Sequence, residues 1–155
     1  MGLLTPIAVR LGKTTWMPKL LPQVVWLDKR LAGLTRGRFT VLDIAGLPNV
    51  TLSVPGRKSG ITRTTPLLAI PYDDGWLIAG SYFGAPHAPA WVANLRATEK
   101  AGLRVKGEEF DADWRELEGE ERARAWQAML DHWPNYTLYE QRSNRKIPIF
   151  HLRRA

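Results

Sequence analysis

The sequence predicts an α+β fold, a small barrel of antiparallel strands with a few flanking helices. Three observations carry that expectation. Short β-branched and apolar runs recur between turn signals from Phe39 to Ser81, and again from Gly102 to Leu117. Helical periodicity is confined to a few stretches. A chain of 155 residues, 45% hydrophobic and 24% charged, is the size of one domain with one core. Five or six antiparallel strands in so short a chain fit a small barrel.

In chain order, residues 1–38 read as a basic amphipathic N-terminal segment and 39–155 as the barrel domain. After Pro22, the run QVVWLDKRLAGLTRG places Val24, Leu27, Leu31 and Leu34 at helical spacing, with Lys29 and Arg30 on the other face. Pro22 suits a first helical position and Gly37 a C-terminal cap. Its apolar stripe either covers the domain's own core or, with the preceding WMPKLLP, touches an anionic membrane surface. Residues 39–45, 51–54, 62–70 and 75–81 read as four strands of an antiparallel meander. Residues 89–98 read as a helix with Trp91 and Leu95 on one face, and 102–117 as a hairpin turning at Gly107. Residues 119–133 read as a helix with Glu120 and Arg124 four apart, stopped by Pro134. KIPIFHLRR, 146–154, closes the sheet as a last strand.

Composition excludes much chemistry. There is no cysteine, so disulfides, thiolate nucleophiles and Cys-ligated metals are ruled out; His87, His132 and His151 lack metal-ligand spacing, and no metal site is expected. No catalytic triad or zinc-protease pattern occurs, so a bound cofactor is expected to carry any chemistry. No run of about 18 apolar residues suggests a spanning helix, and Pro6, Arg10 and Lys13 break any signal-peptide core, so a cytoplasmic protein is expected. Pro6 also spoils the myristoylation pattern after Gly2.

The net charge of +7 lies entirely in the first 60 residues, which hold nine Lys/Arg against two acids, while the remainder balances thirteen against thirteen. Such a field draws an anionic partner. Nucleic acid is not expected, because no recognition motif or basic helix with interleaved aromatics occurs. The stretch TLSVPGRKSGITRTTPLLAI, 51–70, sets Arg57 and Lys58 between Gly56 and Gly60, with Arg63 three residues on. A P-loop would need an earlier glycine and a following helix. Glycines here would still let backbone N–H groups approach an anion while the cations add charge-assisted bonds, although a solvated hairpin tip would look the same.

Read with GSYFGAPHAPAWVANLRAT, 80–98, this turn resembles the deazaflavin-dependent nitroreductase and quinone reductase family of actinobacteria and relatives. The resemblance rests on Gly56 to Gly60, Arg63, Thr65-Pro66-Leu67, Ser81, Gly84, Ala85-Pro86, Pro89-Ala90-Trp91 and Asn94-Leu95 in that order, and runs from about Arg38 to Leu152. It departs at Tyr82-Phe83, where members often have glycines, at Ala88, where His or Asp is common, and at Leu68, where some have Tyr.

The resemblance implies a split β-barrel of the flavin-reductase-like, FMN-binding type. It also implies coenzyme F420, an 8-hydroxy-5-deazaflavin with a phosphate and an oligoglutamate tail. Arg57, Lys58 and Arg63 would meet the anionic part and Ser59 and Gly60 would close on the phosphate. The ring would lie over Thr65, Pro66, Leu67 and the Ala79-Gly80-Ser81 strand end, with Trp91 and Asn94 shaping the pocket wall. The implied reaction is hydride transfer from the reduced coenzyme to a quinone-like, enone or nitro acceptor, menaquinone among them. Ser81, Tyr136 and Tyr139 are the candidate catalytic donors, and Trp133, Tyr136 and Tyr139 an aromatic rim for the substrate. Against this stand bland readings: Trp91 as a core aromatic, Asn94 as a capping amide, and the three late aromatics as glue between helix and barrel. Two other functions stay open, a non-catalytic F420 or flavin carrier of the same fold and a peripheral protein on the inner face of the plasma membrane. Oligomeric state is left open.

Overall fold

A computed structural model describes residues 3–36 and 39–155, the side chains of Met17, Pro18, Leu21, Val25, Ala32 and Phe83 excepted. Three helices come first, α1 (Thr5–Gly12), α2 (Met17–Thr35) and α3 (Val41–Ile44). Strands β1 (Asn49–Pro55), β2 (Thr62–Leu68), β3 (Ile70–Tyr72) and β4 (Gly75–Ala79) follow, then a 3₁₀ turn (Tyr82–Gly84) and α4 (Ala90–Arg96). The chain ends with β5 (Ala101–Val105), β6 (Glu108–Glu116), α5 (Gly119–His132), α6 (Asn135–Ser143) and β7 (Ile149–Arg154).

The seven strands among the described residues form one antiparallel sheet in the order β2-β1-β5-β6-β7-β4-β3. Its two edge strands, β2 and β3, are separated in the chain by Ala69 alone, so the sheet has to curl until its ends meet there. Ala69 is fully buried and donates its N–H to the Pro48 carbonyl at 3.0 Å. No ladder joins β2 to β3, and the barrel stays split along that seam. The expected α+β split barrel is therefore the fold. Two details differ: the meander is interrupted at Ala69, and β7 is an interior strand between β6 and β4.

Both faces of the central strands are covered, which explains their continuous apolar runs. Ile78, Phe150 and Leu152 point into the barrel with Val50, Leu52, Leu103 and Trp91; Leu77 and Ile149, one residue out of phase, face Met129, Trp133, Tyr136 and Tyr139 of the α5–α6 layer. The predicted hairpin turns on Lys106 and Gly107, both at positive φ (51° and 84°), a conformation glycine adopts without strain.

Residues 39–45, expected as a strand, hold α3 instead. Thr40 Oγ1 accepts the Asp43 N–H at 3.2 Å while an Asp43 carboxylate oxygen accepts the Thr40 N–H at 2.7 Å, a capping box that nucleates the turn. Helix α2 starts at Met17, five residues early, so Pro22 lies inside it rather than at its first position. The proposed cap Gly37 lies outside the described residues. Glu120 and Arg124 form no ion pair among the described residues; Arg115 pairs with Glu121 instead. Helices α1 and α6 were not legible.

Helix α1 is docked by its carbonyl end. Asn135 Nδ2 donates to Val9 O at 2.6 Å, the Tyr139 hydroxyl to Gly12 O at 2.7 Å, and Arg142 to Lys13 O. These donors satisfy carbonyls that a helix C-terminus leaves open, and the arginine suits its negative dipole end. Asp28, the one acid of the first 38 residues, is buried and accepts the Val41 N–H at 2.8 Å, tying α2 to α3. Burial raises its carboxyl above the ordinary aspartate range, against the pull of that bond. No helix among the described residues is long and apolar enough to cross a membrane.

Candidate functional site

The basic turn is a tightly built loop between β1 and β2. Gly56 donates its N–H to Ile61 O at 2.8 Å and Gly60, at φ 70°, donates to Gly56 O at 2.7 Å. Ser59 Oγ accepts the Ile61 N–H at 3.2 Å, folding its hydroxyl back on the loop. The back of the turn is held by α4: Asn94 Oδ1 accepts both the backbone N–H and Nη1 of Arg57, each at 3.1 Å. Asn94 is thus a buried tether rather than a helix-surface amide.

The side chains of Arg57, Lys58 and Arg63 remain exposed, and none is in an ion pair among the described residues. The contrast with the other strand cations is informative, since Arg104, Arg115, Arg153 and Arg154 each face a carboxylate. Along β2, Thr65, Pro66 and Leu67 are half-buried opposite Leu52, Thr51 and Val50. Pro66 is tolerated because β2 is an edge strand with no outer ladder to complete.

The second segment leaves β4 at Ala79. Gly80 donates to Pro148 O at 2.9 Å, and a Cβ here would come within 2.7 Å of Val92 and 2.9 Å of the Pro148 ring, so only glycine fits. Ser81 is half-buried. Tyr82 (φ 45°) and Gly84 (φ 81°) then turn the chain over α6, where a Cβ on Gly84 would press on the Tyr139 backbone at 3.0 Å. One helix therefore joins the two segments: α4 packs Val92 on Gly80 and ties Asn94 to Arg57. Trp91 lies within the barrel core, its ring edge-on to Phe150 at 5.7 Å.

The expected aromatic rim is not on the surface. Trp133, Tyr136 and Tyr139 are 6%, 3% and 1% exposed. Tyr136 and Tyr139 meet edge to face at 6.1 Å, and the Tyr139 hydroxyl is committed to Gly12 O. Burial pushes both phenols above the ordinary tyrosine range. The sequence reading took these side chains as donors and a substrate wall; in this structure they are packed in the layer that α5 and α6 lay on the sheet. No group of metal-ligating side chains occurs among the described residues.

Arg145, which the sequence reading did not single out, closes the second segment from behind. Its Nε donates to Ala85 O at 3.1 Å and its Nη2 lies 3.0, 3.2 and 3.2 Å from the carbonyls of Gly80, Ser81 and His87. Partial burial pulls its pKa below the usual arginine range.

A family model described as F420H(2)-dependent quinone reductase matches residues 24–153. The chain belongs to the F420H(2)-dependent quinone reductase family. It is 32% identical over 123 residues to an F420H(2)-dependent quinone reductase of Mycobacterium tuberculosis, an alignment covering 77% of this chain and 83% of that one. Among solved structures, an F420-H2 dependent reductase superposes with a TM-score of 0.62 at 31% identity, over 68% of this chain and 93% of that one. A second, described as a domain-swapped dimer, gives 0.64 at 26% identity over 83% and 97%.

Proposed function

We propose that this family member is an F420-dependent reductase that passes a hydride from the reduced coenzyme to a quinone-like, enone or nitro acceptor. The observation that carries the reading is the set of uncompensated cations at Arg57, Lys58 and Arg63 on a turn that Asn94 pins to the helix packed against Gly80. Exposed cations with no carboxylate partner suit a phosphate and an oligoglutamate tail, so the residues present fit the coenzyme.

Lys58 and Arg63 would hold the tail, with the Gly60 backbone beside the phosphate. Thr65, Pro66 and Leu67 on one side and Ala79, Gly80 and Ser81 on the other would flank the ring. When bound, the reduced deazaflavin supplies a hydride. The chain's task is to orient the acceptor and give a proton or hydrogen bond to the oxygen that gains charge, and the Ser81 hydroxyl is our candidate for that donor. The test is oxidation of the reduced coenzyme, followed by absorbance, on adding menadione to purified protein. Oxidation dependent on the protein supports the enzyme; tight coenzyme binding without oxidation selects the carrier reading.

A quinone acceptor adds a second reading, a peripheral contact with anionic lipid. On α2, Trp26, Leu27 and Leu34 are 58%, 51% and 85% exposed, and Lys19, Lys29 and Arg30 are exposed on the same helix. An amphipathic helix that leaves apolar side chains in solvent beside cations has the composition of an interfacial binder.

A further inference from the structure

We propose that Arg145 is a positioning residue for the coenzyme ring, holding the 80–88 segment in the one shape that presents its backbone donors. The assignment rests on the coenzyme reading above. A partly buried guanidinium normally faces a carboxylate, because an unpaired buried charge is strongly disfavoured. Arg145 has none among the described residues. Its charge is met by four carbonyl oxygens drawn from positions 80, 81, 85 and 87. A segment with a residue at φ 45° and a glycine at 81° does not gather its carbonyls on one point unaided.

The consequence lies on the other edge of those peptides. The peptide bonds among the described residues are trans, and in a trans peptide the N–H points opposite to the C=O. Carbonyls 80, 81 and 87 turned toward the guanidinium therefore turn the N–H groups of Ser81, Tyr82 and Ala88 away from it. None of the three donates to a protein acceptor among the described residues, although all three residues are half-buried, where free donors are uncommon. Ser81, two residues past β4, belongs to the stretch that the coenzyme reading places beside the ring, so such donors suit a heteroaromatic edge rich in carbonyl oxygens and ring nitrogens. Lysine could not substitute, since one ammonium cannot span four acceptors that a planar fork reaches.

The test uses the full chain with Arg145→Lys and Arg145→Met, each checked for an unchanged circular-dichroism spectrum. Fluorescence titration compares F420 with its riboside lacking phosphate and tail, and amide exchange is followed across residues 80–88. The expected result is faster exchange in that segment and weaker binding of both ligands by a similar factor, about tenfold or more, with lysine restoring little. Lys58→Ala, in contrast, should weaken the tailed coenzyme more than the riboside. Unchanged exchange, or unchanged riboside affinity with faster exchange, would overturn the assignment alone. Wild-type protein that binds neither ligand would overturn the coenzyme reading and this assignment with it. A variant that no longer folds is replaced by the other, and failure of both at ordinary temperature would show that Arg145 serves the fold rather than the ring.

Discussion

The side-chain oxygen of Asn94 accepts two hydrogen bonds from Arg57, one from its backbone and one from its guanidinium, each 3.1 Å long. A short buried amide thereby fixes where a charged turn stands relative to α4. Removing it in Asn94→Ala leaves the Arg57 N–H without its partner and frees the turn. Coenzyme binding should weaken by about 1.5–3 kcal/mol, the scale of a hydrogen bond with a charged member. A titration of Asn94→Ala that gives the wild-type dissociation constant would contradict the tether.

Lys58 tests the anionic tail directly. Lys58→Ala should cost about 1–3 kcal/mol of coenzyme affinity at low salt and flatten the salt dependence. Oligoglutamyl F420 should also bind more tightly than FMN, which carries a single phosphate. Equal or tighter FMN binding would show that the turn does not read the tail.

Gly12 tests how α1 is seated. A Cβ there would lie 2.7 Å from the Trp133 ring and 2.8 Å from both the Asn135 amide and the Tyr139 hydroxyl. Gly12→Ala therefore forces these side chains or α1 itself to shift, and we expect a loss of about 1–3 kcal/mol, the usual result of overpacking, in chemical denaturation. A variant as stable as wild type would mean that α1 is only loosely applied.

The lipid reading is best tested on α2, since deleting residues 1–20 would also remove the Val9 and Gly12 carbonyls that Asn135 and Tyr139 bind. Wild-type protein should cosediment with anionic but not zwitterionic vesicles, less so in high salt. Trp26→Glu with Leu27→Gln should abolish this and slow reduction of long-tailed menaquinone more than of menadione. Equal slowing of both quinones would assign these side chains to the fold.

Tyr136 gives a pH dependence with a definite sign. Burial raises its folded pKa above the ordinary value of 10.0, so above that pH the unfolded chain has released the phenolic proton while the folded chain still holds it. The unfolded state then binds fewer protons, and stability falls as pH rises. In Tyr136→Phe this part of the alkaline loss should vanish, leaving a shallower decline in urea denaturation between pH 9 and 11. Parallel curves for the two proteins would show that the phenol ionises alike in both states.

Local pattern alone was enough for the strands read at 51–54 and 75–81, the hairpin about Gly107, the helices read at 89–98 and 119–133, and the antiparallel barrel they build, with ends that the structure shifts by a residue or two. Each rests on local periodicity or turn chemistry that tertiary packing did not reverse. The capping box at Thr40 and Asp43 was also written locally, but the apolar run around it read as a strand. Motif order set the Gly56–Gly60 turn beside the Gly80–Ser81 stretch, and α4 touches both. Only the tertiary structure decided the rest. Strand order turned on a curl that parts β2 from β3 at Ala69, a long-range matter no local pattern records. Trp133, Tyr136 and Tyr139 look the same in sequence whether they line a rim or a core, and it is their packing with Leu77, Ile149 and Met129, with Gly12 of α1 set against Trp133 and Tyr139, that buries them. The partners of Arg145 have no local signature: its four acceptors are backbone carbonyls some sixty residues away, and backbone carbonyls are common to every residue.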